Sequence, residues 1–181
     1  MHKRFFTRLV LLSAFLVFVA APAAYAQISI AVVDIEALMS DSTAAKSIKQ
    51  QVETNRKKFE TEMEGLEKQL RDSLEKLKAE SKDLSKEDLE KKAQEFEEKR
   101  FEARKTLKSR IASLNKGSAE AMNTLTSSIF KVCAKLADEK KYDLIITRNN
   151  VIVGAKSLDI TPEVMKRLND TLPDVKVTIG K

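Results

Sequence analysis

Residues 44–141 contain no proline, and only Gly65 and Gly117 interrupt a composition rich in Ala, Leu, Glu, Lys, Gln and Arg. These are the strong helix formers. Apolar residues recur at spacings of three and four, from Ile48, Val52, Phe59, Met63, Leu66, Leu70 and Leu77 to Leu84. They resume at Leu89, Ala93 and Phe96 and run through Ala103, Leu107, Ile111, Leu114, Ala121, Leu125, Ile129 and Val132 to Leu136. That period places one narrow apolar stripe on each of two helices.

The two helices are expected to fold back on each other near residues 84–86. Ser85 stands three residues before Asp88, an acidic version of the capping box, and Leu84 and Leu89 are spaced as a hydrophobic staple. The alternative is one uninterrupted rod, which would leave most of its stripe without a partner in the monomer. At 1.5 Å per residue, an arm of forty residues reaches about 60 Å. Such a hairpin buries one seam and leaves its remaining surface in water. Glu64 and Lys68, Glu67 and Arg71, Asp72 and Lys76, Glu87 and Lys91, and Glu95 and Lys99 are each spaced four apart with the acid first. This is the favourable order for pairing along a helix, and it reads as a solvated face.

Residues 1–26 read as an export signal. Lys3, Arg4 and Arg8 precede an apolar run from Leu9 to Ala21, Pro22 breaks it, and Ala24-Tyr25-Ala26 forms a small-x-small cleavage site. Cleavage after Ala26 would leave Gln27 first. The alternative is an uncleaved membrane anchor, for which the run is short. The signal takes three cations and no acids, so the formal charge falls from +6 to +3. The only histidine, His2, leaves with it.

The expected domains are the signal, a β-rich body from residues 27–43 and 142–181, and the arm at 44–141. Ile28–Ile35 reads as a strand, with Asp34 at its end facing solvent or capping the next turn. Tyr142–Thr147, Val151–Ala155 and Val175–Ile179 read as three more. Asn149-Asn150 suits a two-residue hairpin turn between the second and third. Thr161-Pro162-Glu163 starts a helix to about Leu172, with Thr161 as cap and Val164, Met165 and Leu168 inward. The fold class is therefore α+β, a long antiparallel hairpin inserted in a small strand body. A body this small needs staples or partners. Cys133 is the only cysteine, so self-association through the sheet is expected. Ile30, Val32, Leu144, Ile146, Val151 and Val153 are the candidate association residues.

Without histidine, the mature chain holds no Ser–His or Cys–His pair, and no metal ligand set is evident. Four glycines, at 65, 117, 154 and 180, assemble no phosphate-cradling loop. An enzyme, a cofactor and a metal are not expected, and the mild charge does not mark a nucleic-acid binder. Cys133, in the apolar stripe, reads as a buried thiol; an intermolecular disulfide is the alternative. Gly117 reads as a hinge or as a tolerated local break.

A signal peptide, Ile30-Ala31-Val32-Val33-Asp34, a long charged hairpin, Tyr142-Asp143-Leu144-Ile145-Ile146 and Asp159-Ile160-Thr161 before a short helix follow one another here. This layout resembles the OmpH-like (Skp) family of periplasmic chaperones over nearly the whole mature chain. The resemblance implies a homotrimer whose strands form the association body and whose arms surround a cavity. It implies an ATP-independent holdase for unfolded outer-membrane β-barrel proteins before their insertion. The Val175–Ile179 segment extends past the shorter members. Phe59, Met63, Phe96 and Phe101 are the candidate client contacts where the seam does not use them. Transient contact with a membrane surface is a further expectation. The competing reading is a structural or adaptor coiled-coil hairpin of the cell envelope, which would need one fixed partner patch.

Overall fold

The computed structural model describes residues 28–82 and 84–180. The expected export signal lies outside them. Strand β1 (Ile30–Val33) is followed by a short helix α1 (Ile35–Asp41), then by the two arm helices α2 (Thr43–Glu80) and α3 (Lys86–Lys140). Strand β2 (Leu144–Thr147) and helix α4 (Thr161–Thr171) complete the regular elements, with single 3-10 turns at Arg148–Asn150 and Lys156–Leu158.

The capping chemistry explains the breaks. Asp34 ends β1 and caps α1, its carboxylate accepting from the Ala37 amide at 2.9 Å. Ser42, fully buried, caps α2 by accepting from the Ala45 amide at 3.2 Å. Ser85 caps α3 as expected, accepting from the Asp88 amide at 3.1 Å. Its hydroxyl donates to the Asp88 carboxylate at 2.5 Å, so the reciprocal bond runs through the hydroxyl and not the Ser85 amide. Lys141 closes α3 in the left-handed region, φ 58°.

By their rise, α2 spans about 57 Å and α3 about 82 Å. The extra length of α3 lies at its C-terminal end, where Leu114, Ala121, Leu125, Ile129, Cys133 and Leu136 are buried. They pack with Leu38, Ala44, Ala45 and Ile48 of α1 and α2, Ala31 and Val33 of β1, and Ile160, Val164 and Leu168 of the α4 region. The core is thus built largely by the base of the arm. From Val52 outward the seam residues are only half-buried, because two helices alone cannot enclose them.

The four-stranded body is replaced by a two-stranded sheet. β1 and β2 pair in parallel, Ile30 opposite Leu144 and Val33 opposite Thr147. Parallel pairing requires a crossover, and the whole arm is that crossover. Val151–Ala155 is not a strand within the chain: Arg148–Asn150 forms a 3-10 turn in place of the expected hairpin turn, and Ile152 and Val153 stand in solvent. Nor does Val175–Ile179 join the sheet; residues 173–180 lie along the base of the arm. Thr161 is not the helix cap. Its hydroxyl accepts from the Asp34 amide at 2.9 Å, and the Asp159 carboxylate accepts from the Thr161 amide at 2.9 Å. The cap position falls on Ile160, with Pro162 in the first turn.

The segment after α4 is held by side chains. The Gln51 amide group donates to the Val175 carbonyl and accepts from the Val177 amide, both at 2.9 Å. Ser47 donates to the Asp174 carboxylate. Val177 is buried and Val175 and Ile179 pack on the core. Thr178 passes directly over Gly117, and a Cβ there would meet its carbonyl carbon at 2.9 Å. Helix α3 runs unbroken through Gly117. What this glycine provides in the structure is room for a crossing backbone.

Candidate association surface and arm clefts

Side chains of paired parallel strands alternate between two faces. Ala31, Val33 and Ile145 turn to the core. Ile30, Val32, Leu144 and Ile146 therefore share the opposite face. The structure brings these four expected association residues together. Val32 is buried, whereas Ile30 is 36% and Leu144 48% exposed. The loop beyond the sheet adds Val151, half-buried, with Val153 at 89% and Ile152 at 101% exposure. Ile28, 68% exposed, precedes β1. Asp159 bridges to β1 on the side away from β2, so the outer edge of β2 has no strand partner among the described residues. Exposed apolar residues beside an open strand edge make this a candidate association surface.

A polar clasp fixes the loop that presents Ile152. Arg148 pairs with Asp34 at 3.3 Å and with Asp159. Asn149 donates to Glu36 at 2.7 Å. Burial pushes the Asp159 carboxyl up, but hydrogen bonds from Thr161 and the charge of Arg148 outweigh it and hold the group below the usual aspartate range. Behind the clasp, Arg167 bridges Glu139 at 2.5 Å and Glu163 at 2.8 Å, fastening α4 to α3. The Arg167 bond lowers the Glu139 carboxyl.

On the arm, none of the five expected acid-first pairs comes within ion-pair distance among the described residues. The arm instead pairs Arg100 with Glu97 and Lys105 with Glu102, each three residues apart, and Lys116 with Glu120, four apart with the base first. Two further pairs cross the seam, Glu62 with Arg110 and Glu80 with Lys92 near the tip. Lys92, by hydrogen bond and charge, lowers the Glu80 carboxyl.

The seam leaves open clefts. One, of about 890 Å³, lies at mid-arm with Leu66, Leu70 and Ala103 among its lining residues and Gly65 beside them. Its charged rim includes Glu62, Asp72, Lys76, Lys99, Glu102 and Arg110. A second, of about 430 Å³, is lined by Phe59, Met63, Leu107, Ile111 and Leu114. Phe59 is half-buried, with the Arg110 guanidinium 5.7 Å from its ring centre. Met63 is half-buried on the second cleft, and Phe96 half-buried beside a smaller one of about 230 Å³ nearer the tip. Phe101 stands apart from them, 64% exposed. The four expected contact residues are thus spread along the arm.

Sequence reasoning missed Ile152 and Gln51. The signal for Ile152 was the unbroken run Val151-Ile152-Val153, whose middle residue is as apolar as the two that alternation singles out. Gln51 carried no signal; its role depends on a partner more than 120 residues away in sequence.

The family model described as Outer membrane protein (OmpH-like) matches residues 29–168. A comparison with curated proteins finds no match. In fold, the chain is similar to the crystal structure of a candidate outer membrane chaperone (OmpH-like) from Caulobacter crescentus CB15. The TM-score is 0.78 at 15% identity, covering 86% of this chain and 92% of that one. Among the described residues no helix is long and apolar enough to cross a membrane. The family model takes in both strands, the entire arm and most of α4, and on that extent the chain belongs to the OmpH-like family.

Proposed function

We propose that the protein is an ATP-independent periplasmic holdase. It acts as a homotrimer that takes up unfolded outer-membrane β-barrel proteins and keeps them from aggregating before insertion. The observation that carries this reading is the arm: a projecting helical pair whose apolar-lined clefts serve no packing need of its own. Unfolded barrel precursors expose alternating apolar residues and unpaired backbone, and aggregate for that reason. Several weak sites spread along an arm suit such a client. Each contact stays weak enough for release without nucleotide, because folding of the client elsewhere draws the equilibrium away. Phe59, Met63, Phe96 and Phe101 are the proposed contacts, and the patch around Ile30, Leu144, Ile152 and Val153 is the proposed trimer surface.

The test is multi-angle light scattering on the mature protein, alone and after mixing with an outer-membrane barrel protein diluted from urea. A trimer that carries one client into a soluble complex is the expected result. A monomer at micromolar concentration, or a trimer beside precipitated client, overturns the reading and favours an envelope adaptor.

A further inference from the structure

The two glycines of the arm lie on one continuous face. On α2, residues Ser47, Gln51, Lys58, Glu62, Gly65 and Gln69 can be reached from one another by steps of three, four or seven, the spacings of a single helix face. On α3, Gly117, Ser113, Arg110 and Thr106 follow in the same way toward the tip. At the base this face is occupied. Residues 174–180 run along it from Ser47 and Gln51 to Gly117 and Ser113, with Gly180 placed so that a Cβ would lie 3.4 Å from the Ser113 hydroxyl. The seated segment is bound in a way that reads little sequence. Gln51 holds a carbonyl and an amide of its backbone, and Val175, Val177 and Ile179 turn alternately to the core. Gly117 admits its main chain.

The Glu62–Arg110 pair stands just beyond this segment, and past it the same face opens into the cleft of about 890 Å³. Gly65 lies there, and beyond its own helical turn no atom of the described residues is within 4 Å of the position its Cβ would take. Among the described residues no neighbour explains this glycine as Thr178 explains Gly117.

We infer that the cleft between Gly65 and Ala103 is a binding site for an extended peptide with apolar residues at alternate positions. Its occupant is a client segment passing over Gly65 as Thr178 passes over Gly117. The client backbone lies against Gly65 and its alternate apolar side chains fill the floor formed by Leu66, Leu70 and Ala103. The observed 174–180 segment is the template for the binding mode, and the site is continuous with it. The assignment of this peptide to a chaperone client rests on the holdase reading; the groove itself does not.

The probe is a fluorescein-labelled peptide, Lys-Val-Thr-Ile-Thr-Val-Lys, titrated by fluorescence anisotropy against the wild-type protein and two cleft-filling variants. Gly65→Leu projects into the open space and Ala103→Leu raises the floor; far-UV circular dichroism checks that both remain helical. Saturable binding to wild type, weakened at least tenfold in both variants and unchanged in Lys131→Ala on the exposed surface of the α3 base, is expected. No saturable binding, or equal binding in wild type and both helical variants, overturns the inference. If either variant loses helicity, photocrosslinking from benzoylphenylalanine at Gln69 of the otherwise native protein decides: peptide attached there supports the site, and none rejects it. Suppression of barrel-protein aggregation is measured in parallel. Full suppression by the variants rejects the groove as a client site and leaves the holdase standing. Peptide binding by a wild-type protein that suppresses nothing does the reverse.

Discussion

The carbonyl of Thr178 occupies the space that a side chain on Gly117 would need, the carbonyl carbon lying 2.9 Å from the Cβ position. Glycine in a helix interior ordinarily costs about 1 kcal/mol against alanine. Gly65→Ala should recover part of that, since nothing lies within 4 Å of the new methyl. Gly117→Ala should reverse the sign. Its methyl must push away a backbone that Gln51 and Val177 hold in place, and overpacking of this kind costs about 1–3 kcal/mol. Urea denaturation of the two variants checks the pair: one midpoint rises and the other falls. A rise in both would mean that the 173–180 segment gives way without loss.

The same contact shows why part of the fold was legible in the sequence and part was not. The arm, its turn at Ser85 and its apolar stripe depend on residues three and four apart, so local spacing carries them. The contact at Gly117 is not legible in the sequence because its partner, Thr178, lies in a segment whose Val175-Lys176-Val177-Thr178-Ile179 alternation suits a strand. The alternation is real, but its buried side faces a helix pair and not a sheet. Thr161 carries an N-cap signature, yet its hydroxyl serves the Asp34 amide at the end of β1. The candidate site divided along the same line. Ile30, Val32, Leu144 and Ile146 follow from strand period and parity, whereas the mid-arm cleft depends on where two helices separate.

Asp159 makes stability depend on pH in a stated direction. Its carboxyl is held below the aspartate range in the folded protein, against about 3.9 when unfolded. A group with a depressed folded pKa stabilises above its unfolded value, and that stability is lost as pH falls toward the folded one. Asp159→Asn should therefore cost about 1 kcal/mol near neutrality, where the charge-assisted contacts to Arg148 are lost. The difference from wild type should shrink as pH falls below about 4. Glu80 and Glu139 are also depressed, but they are unchanged by the substitution and cancel in the comparison. Chemical denaturation of both proteins across pH 3 to 7 checks this. A gap that stays constant to the acid end would place the contribution of Asp159 in shape and not in charge.

Ile152 and Val153 stand outside the core, so replacing them should leave the fold of one chain almost untouched, within about 0.5 kcal/mol. Their effect should appear in assembly. If this loop builds the proposed trimer, the double variant Ile152→Glu, Val153→Lys scatters light as a monomer where the wild-type protein scatters as a trimer. Anything that binds only the folded chain raises its melting temperature with concentration. The wild-type Tm should therefore climb between micromolar and hundred-micromolar protein, and the variant Tm should not. A double variant that keeps the wild-type mass would remove this loop from the association surface.

Cys133 lies 7% exposed among the core residues of α3, and burial pushes its thiol up from the ordinary range. The reactive species is the thiolate, so both access and ionisation oppose attack. A thiol reagent such as dithionitrobenzoate at pH 8 should modify the native protein slowly and the guanidinium-unfolded protein at once, with one equivalent released per chain. No disulfide-linked dimer should appear on a non-reducing gel. On the proposed holdase reading, the rate also distinguishes two ways of taking up a client. Helix α3 carries the arm outward from the same base that buries Cys133. If clients engage only the outer seam, the base remains packed and the modification rate is the same with a client bound. If uptake requires the base to open, the rate rises with client occupancy. The clefts at Gly65 and Met63 lie outward of the buried stretch of α2, which stops at Ile48. The expected result is therefore an unchanged rate.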